Sequence, residues 1–141
     1  MSDAARRILL FILLLGVIGI MAELFLLAHT EDLNQWIPIA LGAITIVLSA
    51  IVGVRPSRGS IRLFQFVMLL MIISGGVGMY LHLHANMEFQ LEMDPALKGL
   101  ALFKKSIVAK APPALAPGAM AQLGLIGLAY TFRHPAMERN T

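Results

Sequence analysis

The chain has 141 residues, room for one domain, and 58% of them are apolar against 13% charged, with a mean hydropathy of +0.80. Soluble domains carry about a quarter charged residues, so this deficit argues against a water-soluble globule and for lipid contact. The chain has no cysteine, which excludes disulfides, thiolate metal sites and cysteine nucleophiles. Its net charge of +3 does not indicate nucleic acid, because the basic residues sit at the ends of apolar runs, as topology signals do.

The first apolar run, residues 8–28, follows Arg6 and Arg7 and holds one charge, Glu23. It is longer than a signal-peptide core and lacks an A-x-A-like exit, so it reads as a retained span. The loop "HTEDLNQW" carries Glu31 and Asp32 and no Lys or Arg, and Trp36 at its end suits an interface. A second run covers 37–54 and a third 63–81, separated by a loop with Arg55, Arg58 and Arg62. A fourth covers 114–132, and Arg133 and Arg139 follow it. Each run has 18 to 21 residues, close to the ~20 that cross a hydrocarbon core as a helix. None alternates as a strand would.

The predicted fold is therefore an all-α integral membrane protein, a bundle of four transmembrane helices. By the positive-inside rule both termini and the 55–62 loop are expected to be cytoplasmic, and the small size, the lack of a recognised targeting signal and the arginine bias together suggest a plasma membrane of the bacterial inner type. Small residues on every span (Gly16 and Gly19; Ser49 and Gly53; Ser74 and Gly78; Ala121, Gly124 and Gly127) allow close helix approach.

The outer segment 82–113 is the one region large enough for other structure. Span three is expected to continue as a helix to Asp94. Pro95 would then open a short amphipathic helix, with Asp94 as N-cap, lying on the outer interface with its lysines toward headgroups. The prolines of "APPALAP" force an extended turn before span four, with Pro117 in that span's first turn.

Polar residues in the spans suggest where chemistry would sit. Glu23 is the one carboxylate inside a span, and such groups usually face a bundle interior or a watery cavity. Thr45, Ser74, Tyr80 and Gln122 fall at similar depths, within ~12 Å of the outer surface. Together with Glu23 they predict a small polar pocket opening outward. The plainer reading is that each bonds within its own helix.

In "YLHLHANMEFQLEMDP", His84, Glu88 and Glu92 fall on one helical face, with His82 on another. His29 from the first loop could complete a divalent-metal set with them. A solvated helix end explains the same pattern without any metal, and the sequence requires no cofactor. His134, beside Pro135, is expected to be a solvated span end.

No phosphate-binding glycine loop or nucleophilic triad is present. The expected role is an accessory or structural membrane subunit, or a homo-oligomeric binding protein. Its partners would be the bilayer, other membrane subunits or further copies, and not nucleic acid. The alternatives are a proton- or cation-coupled transporter or channel built on Glu23, and a metal-binding membrane protein built on the 82–92 ladder.

Overall fold

The computed structural model describes residues 1–28, 30, 32–109 and 115–138, and these are helical with no strand. The helices are α1 (Asp3–Leu26), α2 (Leu33–Val54), α3 (Arg58–Met93), α4 (Gly99–Ile107), α5 (Ala116–Thr131) and α6 (Pro135–Glu138). Three of them, α1, α2 and α3, are long and apolar enough to cross a membrane.

Each start and stop has a local cause. The Ser2 hydroxyl accepts from the Ala5 N–H at 3.3 Å and caps α1. Asp32 opens α2 with Gln35 reaching back to its N–H, so α2 begins four residues before the predicted span. Trp36 lies in that first turn and donates from its indole N–H to the Thr30 carbonyl at 3.2 Å. Pro56 ends α2, since Arg55 before it is pushed out of the helical region (φ −137°, ψ 69°). Ser57 and Ser60 then cap α3 reciprocally.

α1 packs on α2 and α5, and α3 packs on α2 and α5, which closes a four-membered ring of long helices. Contacts fix the directions. A side chain at Gly42 would meet Met21 and one at Gly53 would meet Leu10, so α1 and α2 run antiparallel. The α3–α5 seam is the tightest. A Cβ on Gly75 would lie 2.6 Å from the Pro117 carbonyl oxygen, and one on Gly124 would lie 2.7 Å from that of Met68. A backbone atom cannot rotate aside, so glycine is required wherever helices approach this closely. Leu13, Val17, Leu48, Val52, Phe64, Met68, Met71 and Leu123 fill the middle of the ring.

The sequence expectation and the structure part company in three places. α5 has 16 residues, ~24 Å of helix, shorter than the predicted 114–132 span; residues 110–114 lie outside the described residues. Pro95 does not open a helix. Asp94 instead caps the end of α3, and its carboxylate accepts from the Ala96 N–H at 3.2 Å in a turn. α4 starts only at Gly99, whose φ of +55° is cheap for glycine alone.

Finally, α4 folds back on the extension of α3. Leu102 and Ser106 are buried, the Asn86 side-chain amide donates to the Ser106 carbonyl at 3.1 Å, and Lys105 lies 3.9 Å from Asp94. α3 thus runs ~54 Å as one helix and carries a short helical arm at one end of the ring. We call this the distal end, and the opposite end, where residues 2–7, 52–58 and 130–138 meet, the basal end.

Candidate functional site

The residues expected to form an outward pocket take separate positions. Thr45 is fully buried, and its hydroxyl donates to the Met71 sulfur at 3.2 Å. Ser74 is half-buried, whereas Glu23, Tyr80 and Gln122 lie on the perimeter of the single chain. The distal cavity is lined by apolar residues such as Val17, Met21, Met71 and Met120, and at about 10 Å³ it has room for at most one water.

On the metal side, His84 Nδ1 lies 3.5 Å from Glu88, both well exposed, and the Tyr80 and His84 rings are 6.1 Å apart. Among the described residues no three His, Asp or Glu side chains cluster as a metal set would require. His29 lies outside the described residues. His82 and Glu92 remain on the α3 extension, away from the ring's centre.

The cluster that the fold does assemble is at the basal end, and it begins with a proline. An α2 carbonyl at position 52 would accept from the N–H of residue 56, and Pro56 has none. The Tyr130 hydroxyl of α5 supplies the missing donor, reaching the Val52 carbonyl at 3.1 Å. The Tyr130 ring packs edge-on to Phe64 at 5.7 Å and tilted against His134 at 5.5 Å.

Arg6 has the matching role for α5. That helix ends in an extended residue, Phe132, and a left-handed one, Arg133 (φ +47°), which turns two carbonyls toward α1. Arg6 Nη2 donates to the Arg133 carbonyl at 2.7 Å and to that of Phe132 at 3.4 Å. The side chain is only 6% exposed, yet its Nε and Nη1 have no partner. Such a guanidinium stays charged at any relevant pH.

A cavity of about 270 Å³ opens beside Arg6, with Asp3, Arg7, Leu10, Gly53 and His134 in its wall. His134 is also buried, contrary to its predicted solvation, because α6 folds under the bundle and packs against α3. Burial and the Arg6 charge hold the His134 imidazole below its ordinary range, with Asp3 partly opposing them. Its Nδ1 accepts from the Ala136 N–H at 3.2 Å, which suits the neutral ring.

In the sequence Arg6 reads as a topology signal, and nothing singles out Tyr130. The Val52–Pro56 spacing was the available clue, since it orphans a carbonyl that something must satisfy. Nothing in the local sequence marks the burial of Arg6, which depends on where α5 ends. No protein-family model, curated protein or solved structure matches this chain.

Proposed function

We propose that this chain is a four-span membrane bundle with both termini on the cytoplasmic side, acting as a packing subunit of a larger membrane assembly. α5 is the fourth span on this reading. It is short, but it runs antiparallel along α3 from Pro117 to Tyr130, matching the depth of its neighbours. Orientation rests on charge. The basal end carries Arg6, Arg7, Arg55, Arg58, Arg62 and Arg133 against Asp3 and Glu138, whereas the other end has, among the described residues, three lysines, Lys98, Lys104 and Lys105, against Glu23, Asp32, Glu88, Glu92 and Asp94.

The observation that carries the assembly reading is the distribution of polar groups across the bundle. Its centre is filled mainly with apolar side chains, with Thr45 and Ser49 the small polar ones among them, while Glu23 and Gln122 lie on the perimeter of helices that would face lipid. A carboxylate against hydrocarbon is costly, up to ~3 kcal/mol at mid-depth and less toward the surface. A neighbouring helix removes that cost by supplying hydrogen-bond partners. The filled centre also favours this role over conduction through a single chain, so the pocket expected at Glu23 becomes a seam shared between neighbours. A plasma membrane of the bacterial inner type fits the arginine bias.

The test is native mass spectrometry after mild detergent extraction. A discrete multiple of 15.3 kDa, or a constant stoichiometric partner, is expected. Glu23→Leu and Gln122→Leu should shift that population. A lone chain, unaltered by either substitution, would overturn the reading.

A further inference from the structure

We propose that the basal cavity binds a phosphate-type oxyanion, with Arg6 as the buried anchor and Arg7 at its rim, the phosphate coming from a lipid headgroup or from solution. Three observations meet there. Arg6 is nine-tenths buried and permanently charged, and only one of its three guanidinium nitrogens is engaged. Buried donors are normally satisfied, so the two unpartnered nitrogens, enclosed as the side chain stands, imply an acceptor that a small side-chain shift would bring within reach.

The cavity that Arg6 helps to line has the volume and lining for one. At about 270 Å³ it holds an oxyanion with its hydration or a lipid headgroup. Its wall contains two arginines and a single carboxylate, Asp3, which lies outside ion-pair distance of Arg6. Guanidinium is the side chain best matched to phosphate oxygens. Leu10, Val52, Gly53 and Pro56 add apolar surface to the wall, suited to the glycerol and first methylenes of a lipid. If the bundle spans a membrane as proposed, this cavity lies at the depth of the inner-leaflet phosphates. The lipid source rests on that reading, and the free-phosphate source does not.

The alternative is that Arg6 only staples α1 to the end of α5, with water on its other nitrogens. Binding experiments on the full chain in a neutral maltoside detergent separate the two. The chain is titrated with inorganic phosphate, with phosphatidylglycerol, and with diacylglycerol as the phosphate-free control. Thermal midpoint and retained adducts in native mass spectra are the readouts. A saturable rise in midpoint with phosphate or phosphatidylglycerol, and none with diacylglycerol, is expected; which of the two acts identifies the source.

Arg6→Gln should abolish the effect, but it also removes the staple and can unfold the bundle. Arg7→Gln, at an exposed position, is the folding-safe variant and should weaken binding roughly tenfold, as expected for losing one charged hydrogen bond. Arg6→Lys keeps the charge without the fork and should bind measurably less well than the native chain. The proposal is overturned if neither phosphate nor phosphatidylglycerol moves the midpoint, or if Arg7→Gln and Arg6→Lys both bind as the native chain does. Fractionation reports separately on the membrane reading. A chain that binds phosphate but is recovered outside the membrane fraction would remove the lipid source and leave the anion site intact.

Discussion

The Val52 carbonyl shows how a proline nearby sets a requirement that a tyrosine, 78 positions along from that carbonyl, must meet. Pro56 deprives the Val52 carbonyl of its helical donor, and the Tyr130 hydroxyl replaces it at 3.1 Å. Tyr130→Phe keeps the ring against Phe64 and leaves that carbonyl unpaired, so it should cost about 1 kcal/mol in detergent unfolding. In the Pro56→Ala background the N–H of residue 56 can satisfy the carbonyl, and the same substitution should cost much less. Equal costs in both backgrounds would mean that the hydroxyl is not compensating for the proline.

His134 sets a pH dependence at the same scale. Burial and Arg6 lower its proton affinity in the folded chain, so the unfolded chain binds more protons just below the ordinary value of about 6.5. Stability is therefore full above about pH 6.5 and falls as the pH drops through that window. His134→Asn, which keeps an acceptor for the Ala136 N–H, should flatten this slope relative to the native chain. An identical pH profile for both chains would show that His134 is not the group responsible.

Among the elements, the α3–α5 seam determines how tightly the ring closes. Gly75→Ala would place a methyl against the Pro117 carbonyl and the Ala121 backbone, and Gly124→Ala would place one against that of Met68. Each should cost about 1 to 3 kcal/mol through overpacking, read as a lower thermal midpoint. Gly76 has nothing within 4 Å of its Cβ direction, so Gly76→Ala should be neutral or slightly stabilising. If Gly75→Ala and Gly76→Ala behave alike, the seam is looser than described.

The small-residue pattern in the sequence was informative here but not sufficient. It marked Ser74 and Gly78, while the tightest approach on α3 falls at Gly75, one position round the helix. Spacing alone cannot choose between adjacent helical faces when both carry small residues. α1, α2 and α3 were legible because length and hydropathy are additive along the chain. The Pro95 region was not, because the Asp94 turn and the positive φ of Gly99 are decided by α4 packing back on α3. The pocket residues shared a depth in the sequence, yet depth says nothing about rotation about the helix axis, and Glu23 and Gln122 rotate outward.

For the whole molecule, the assembly reading and the lipid source of the basal site depend on whether and how the helices cross a membrane. The ring of α1, α2, α3 and α5 puts the N terminus, the 55–57 turn and α6 at one end, and α4 at the other. If α5 crosses with its neighbours, Glu138 lies on the same side as Ser2 and Ser57, and the Arg6 cavity opens on that side, which is the cytoplasmic one in the proposed orientation. The chain contains no cysteine, so single-cysteine variants can be labelled without background. The most direct measurement is labelling of Ser2→Cys, Ser57→Cys, Ala96→Cys and Glu138→Cys by a membrane-impermeant maleimide in intact cells and after permeabilisation. In the four-span bundle Ala96→Cys reacts in intact cells, while the other three react only once the membrane is opened. Labelling of Glu138→Cys in intact cells with Ser57→Cys still protected would show that α5 does not cross, and would contradict the four-span bundle.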